Sequence, residues 1–137
     1  MASLSAFPLL FIPVAIYMTF AFAAGPEMAA RLAETALLLP MPSGVRWAMS
    51  WGHLLIIFAT VLLFFEIVKS IRPTRVSLID NGLSVAVFIL CLVLFILSPG
   101  FATSEFFILL IMSLLDFLAG SVIMLGAAQR TVQFGNQ

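Results

Sequence analysis

The chain has 137 residues, 64% of them hydrophobic and 9% charged, with a mean hydropathy of +1.24. A soluble domain carries roughly 25% charged residues to solvate its surface, so this composition excludes a water-facing shell and places the chain in a bilayer. Six Lys plus Arg balance six Asp plus Glu, which leaves no net basic field to attract nucleic acid.

A membrane-crossing helix takes about 20 mostly apolar residues, and four stretches meet that requirement. The first, residues 4–24, carries no charge, and no Lys or Arg precedes Arg31. It lacks the basic leader of a signal peptide and reads as a retained span. Pro13 inside it removes a backbone donor and predicts a kink. Gly25-Pro26 ends it.

Residues 26–39 (PEMAARLAETALLL) place Glu27, Arg31 and Glu34 at i, i+4 and i+7. That spacing predicts a short amphipathic helix lying in the membrane interface, with Glu27 and Arg31 paired across one turn. Pro40 and Pro42 close it, and Ser43 is the expected N-cap of the next helix.

The second span covers residues 47–68, with Trp47 and Trp51 as an interfacial belt and Lys69, Arg72, Pro73 and Arg75 at the other end. The third covers residues 78–97 and opens on Ser77-Leu78-Ile79-Asp80, a capping-box-like start with its acid at N3. Ser98-Pro99-Gly100 terminates it. The fourth covers residues 105–128, begins after Thr103 or Ser104 as N-cap, and ends at Gln129-Arg130. The expected fold is therefore all-α: one transmembrane domain over residues 1–137, a four-helix bundle with one interfacial helix between its first two spans.

Positive charge stays in the cytoplasm. Lys69, Arg72, Arg75 and Arg130 fall on one side and Arg31 and Arg46 on the other. The expected location is a bacterial-type inner membrane, with both termini cytoplasmic.

Few polar side chains lie deep. Asp116 stands eleven residues from the start of the fourth span and twelve from its end, near the midplane at about 1.5 Å per residue. A carboxylate there costs about 2.5–3.5 kcal/mol on insertion scales, so it must be neutral, paired or hydrogen-bonded against other protein. Ser113, Gly120 and Ala127 recur every seven positions around it, a seam of small residues that lets another helix approach closely. Thr60 of the second span lies at nearly the same depth and is the first candidate partner of Asp116. His53, about 10 Å higher by helical rise, and Tyr17 are the next candidates.

Two readings are open for Asp116: a proton or cation site co-lined by Thr60 and His53, or a neutral acid that locks helices together. The third span offers only Ser84 and Cys91, and that scarcity favours the lock. Glu66 and Lys69 suit a local i,i+3 ion pair near the headgroups, and Glu105 suits the first turn of its helix. Cys91, the single cysteine, reads as a small buried hydrophobe, and His53, the single histidine, cannot by itself supply paired haem ligands. No phosphate-binding loop, nucleophile elbow or metal-ligand set is present, so neither an enzyme nor a cofactor is expected. The expected role is that of a structural or accessory subunit that packs against other membrane proteins or itself, in contact with lipid. The alternative is a homo-oligomeric proton-coupled transporter or channel that uses Asp116.

Overall fold

The computed structural model describes residues 7–71 and 75–135, with side chains over the same range apart from residues 75–77 and 134. Its helices are α1 (Phe11–Ala24), α2 (Met28–Ala33), α3 (Trp51–Ser70), α4 (Arg75–Leu97) and α5 (Ser104–Gly135), and strands β1 (Thr35–Pro40) and β2 (Arg46–Ser50) join α2 to α3. Four helical segments among the described residues are long and apolar enough to cross a membrane: Phe11–Ala33, Trp51–Ser70, Leu78–Leu97 and Ser104–Gln133. The protein is a multi-pass membrane protein built as a four-helix bundle. Residues 4–6 of the expected first span lie outside the described residues, as do Arg72, Pro73 and the side chain of Arg75 in the basic cluster and the Ser77 side chain of the expected cap.

The bundle faces are written in seven-residue steps. Leu10 at the N-cap of α1 and Pro13, Val14, Tyr17 and Ala21 within it are buried, and Asp80, Ser84, Val87 and Cys91 are the buried positions of α4. On α5, Phe106, Leu109, Ser113, Asp116 and Gly120 form the inward stripe. These spacings of three and four residues keep one side of each helix toward its neighbours. Helix α5 is the central element and packs most extensively on α4 and α3. On α3 the buried positions are Gly52, Ala59 and Glu66, two small residues that admit α5 and one acid.

Several elements differ from expectation. Pro13 stands in the first turn of α1, where the carbonyl it would have used, that of Leu9, instead accepts from the Ile12 N–H at 3.0 Å. No interior hydrogen bond is lost there, so the reason for a kink is gone. The helix after the first span is present but runs only over Met28–Ala33, behind a 3-10 turn at Gly25–Glu27. That turn breaks the α register, and the Glu27–Arg31 pair is not among the ion pairs of the described residues.

Residues expected to complete that helix form β1 instead, paired antiparallel with β2 in the register Leu37↔Met49, Leu39↔Trp47, Pro40↔Arg46. Pro40 and Pro42 disfavour helical geometry at the residues before them. The short remainder gains its backbone hydrogen bonds from β2. The turn closes through Met41 N–H to Val45 O and Gly44 N–H to Met41 O, both 2.9 Å. The chain therefore adds a small hairpin to its helices. Trp47 belongs to β2, and α3 starts at Trp51 with Ser50, not Ser43, as its N-cap. Ser50 Oγ accepts from the His53 N–H, and the His53 side chain accepts from the Ser50 N–H, a capping box with histidine in the usual glutamate position.

The hairpin end of the bundle is closed by aromatic packing. Tyr17 is fully buried between Phe101 and Phe106, with ring centroids 5.6 and 4.7 Å away. Its hydroxyl donates to Gly100 O at 3.1 Å and is hydrogen-bonded to Thr103 Oγ1. Thr103 Oγ1 also accepts from the Phe106 N–H at 3.2 Å, which makes Thr103 the cap of α5. Gly100 presses on the end of α1: a Cβ there would stand 2.9 Å from Gly25 O and 3.1 Å from Ala21 O. Gly100→Ala is therefore expected to destabilise the bundle by about 1–3 kcal/mol. Gly126→Ala, where a Cβ meets nothing within 4 Å, is expected to be neutral or stabilising by up to about 1 kcal/mol. Unfolding in mixed micelles followed by circular dichroism measures both.

Candidate functional site

The polar side chains that matter gather at the other end of the bundle, where α3 runs out and α4 begins. Glu66, on the inward face of α3, is 0% exposed. Its Oε2 accepts from the Leu9 N–H at 2.7 Å, one of the backbone donors left free ahead of α1. Its Oε1 lies 2.7 Å from Lys69 Nζ, one turn further along the same helix. Lys69 Nζ also reaches Phe7 O at 3.1 Å and Asp80 at 3.1 and 3.2 Å to its two oxygens. One ammonium group thus joins the chain ahead of α1, the end of α3 and the start of α4.

The file continues toward the middle of the bundle. Ser84 is one turn beyond Asp80 on the same face of α4, and its Oγ donates to Asp116 Oδ2 at 2.6 Å. Asn81 Nδ2 donates to Ser121 Oγ at 3.3 Å, a second tie between α4 and α5. Helices α4 and α5 come close at Gly120, where a Cβ would stand 2.5 Å from Asn81 Oδ1. Between Asp80, Ser84 and Asp116 lies a cavity of about 10 Å³, room for about one water molecule.

The structure separates Asp116 from its expected partners. Thr60 is exposed, and its hydroxyl donates to Ile56 O one turn back on its own helix. His53 is exposed at the hairpin end, in the α3 cap. Tyr17 is in the aromatic cluster. Thr60 and His53 lie one position around α3 from its buried line of Gly52, Ala59 and Glu66, and one residue on a helix is about 100° of rotation. The acceptor of Asp116 is instead met by Ser84, from a helix that carries few polar groups. Ser113 is buried, with its hydroxyl donating to Leu110 O at 2.7 Å, and Gly120 is buried at the α4 contact. Ala127 is half-buried and continues the seam less tightly.

Asp80 is not a capping acid. Helix α4 starts at Arg75, which puts Asp80 in the second turn, 5% exposed and bound to Lys69. The Glu66–Lys69 pair forms at the expected i,i+3 spacing, but the acid is inside the protein and not at a headgroup-facing surface. Cys91 is buried, as expected of a small hydrophobe. Among the described residues no three His, Cys, Asp or Glu side chains come together as metal ligands. Compared with known proteins, the chain matches no family model, no curated protein and no solved structure.

The arrangement can hold helices, and it can hold protons. Removing the ammonium alone leaves two buried acids facing each other, so Lys69→Met is expected to cost about 3 kcal/mol or more, the lower end of the range for a broken buried ion pair. Asp116→Asn keeps an oxygen for Ser84 and is expected to cost about 1 kcal/mol. Thr60→Ala should stay within about 0.5 kcal/mol of the parent. Denaturation midpoints of the three purified variants give the order.

Proposed function

We propose that this chain is a structural or accessory membrane subunit, which contributes packed helices to a larger membrane complex or to an assembly of its own copies. In this reading it resides in a bacterial-type inner membrane. Both termini and the loop after α3 are cytoplasmic, since Lys69, Arg72, Arg75 and Arg130 then lie on the positive-inside face. The β1–β2 hairpin, with Leu38, Val45 and Trp47 exposed, lies along the opposite interface.

The observation that carries this reading is that the deep acids are each paired or hydrogen-bonded within the chain. Glu66, Lys69, Asp80, Ser84 and Asp116 are spent on contacts within the chain, around a space of about 10 Å³. In the hairpin half beyond Asp116 the core between the helices is packed with Leu109, Leu110, Phe106, Tyr17 and Phe101. A solute path needs room and polar groups in file through both halves. The α3 face that carries Val61, Phe64, Phe65 and Val68 is exposed and apolar, and it offers an interface to lipid or to a partner helix.

One observation favours a second reading, a homo-oligomeric proton-coupled transporter: among the described residues, three acids are buried (Glu66, Asp80, Asp116), and the Lys69 ammonium pairs with only two of them, Glu66 and Asp80. That excess of acid is where a proton would bind. Affinity capture in mild detergent, together with reconstitution into proteoliposomes, separates the two. The structural reading expects co-purification with a larger membrane complex or a stable homo-oligomer, unchanged in Asp116→Asn, with no proton flux above empty vesicles. Saturable, pH-dependent flux abolished by Asp116→Asn would replace it with the transporter.

A further inference from the structure

A cleft of about 440 Å³ between α1, α2 and α3 at the hairpin end plays no part in the polar site. That volume is within the roughly 300–1,000 Å³ of small-molecule sites. Its lining includes Ile16, Tyr17, Phe20 and Leu55, all within membrane-crossing segments. An apolar slot of this kind accepts an acyl chain and gives a charged or water-soluble ligand nothing to bind along its length.

The rim is different. Arg31, Glu34 and Trp51 line its mouth. Arg31 and Glu34 are exposed, and neither belongs to an ion pair among the described residues. Glu34 sits where α2 gives way to β1, and its backbone is held there: Glu34 O accepts from the Trp51 N–H at 3.1 Å, and the Glu34 N–H donates to Arg31 O at 3.3 Å. The mouth therefore presents one guanidinium and one carboxylate, three residues apart on a fixed turn, beside an indole of the kind that settles at headgroup level. A guanidinium matches a phosphate in two-pronged hydrogen bonding. A carboxylate matches a primary ammonium.

We propose that this cleft is a site for one phospholipid with a zwitterionic phosphate–ammonium headgroup, its phosphate on Arg31, its ammonium on Glu34 and one acyl chain along Ile16, Phe20 and Leu55. An anionic glycerol headgroup satisfies Arg31 and leaves Glu34 repelled, so the site selects phosphatidylethanolamine over phosphatidylglycerol.

Native mass spectrometry of the full chain, released from nanodiscs with equal amounts of these two lipids, tests this. The expected result is one retained lipid per chain, with phosphatidylethanolamine preferred about tenfold. Glu34→Gln should reduce the preference to less than about twofold, Arg31→Gln should lower retention of both lipids, and Leu55→Trp should fill the slot and remove the adduct. The two rim variants change exposed side chains and keep the test valid if Leu55→Trp fails to fold. Absence of a one-to-one adduct, equal retention of the two lipids by the parent chain, or a preference unmoved by Glu34→Gln would each overturn the proposal. So would a dimer that forms in place of the lipid adduct and is broken by Leu55→Trp, because the cleft would then belong to a second copy.

Discussion

A charged group sealed inside a protein has no solvent to turn to and must be answered by other groups of the protein. In this chain the sealed charges are Glu66 and Asp80, and Lys69 at the end of α3 answers both. Its ammonium stands against two acids and a backbone carbonyl drawn from three separate stretches: Phe7 ahead of α1, Glu66 on α3 and Asp80 on α4. Each partner depends on it in turn. Glu66 is sealed from solvent and shares its other oxygen with the Leu9 N–H. Asp80 shares its helix face with Ser84, which holds Asp116. The order of these contacts ties all four membrane-crossing segments together at one end of the bundle.

The opposite end is held by different means. There the contacts are aromatic and backbone-mediated, with Tyr17 as the pivot among Phe101, Phe106, Gly100 and Thr103. One half of the molecule is held by electrostatics and the other by shape and close packing. Between the two, α5 runs as a common partner, and its inward stripe changes character along its length from Phe106 and Leu109 to Asp116 and Gly120. The outer faces of the membrane-crossing helices carry mostly Leu, Ile, Val and Phe, as contact with lipid or with other spans requires.

How much of this could be read from the residues depends on the physical signal behind each feature. The four spans were legible because hydropathy over 20 residues is a strong, additive signal. The hairpin was not, since residues 26–39 carry apolar side chains at spacings that also suit a helix. The deciding signal was local: Pro40, Pro42, Ser43 and Gly44 form a turn signature between two apolar runs. The site was half legible. Asp116 stood out because a midplane acid is expensive, and the Glu66–Lys69 pair is set by spacing alone. The partner of Asp116 was missed because depth was matched without rotation. Gly52 and Ala59, being small, mark the buried line of α3 better than the polar His53 and Thr60 beside them. Asp80 was misplaced for a related reason, since α4 begins three residues before the expected span and carries Asp80 past the first turn.

The charges at the α3–α4 end compensate one another. Breaking a buried ion pair strands a charge, whereas replacing the whole set with neutral side chains of similar volume is often tolerated or favourable. The direct measurement is the unfolding free energy of the triple variant Glu66→Gln, Lys69→Met, Asp80→Asn beside that of Lys69→Met alone. Mutual compensation predicts that the triple variant recovers to within about 1 kcal/mol of the parent while the single variant does not. A triple variant as unstable as Lys69→Met alone would contradict it.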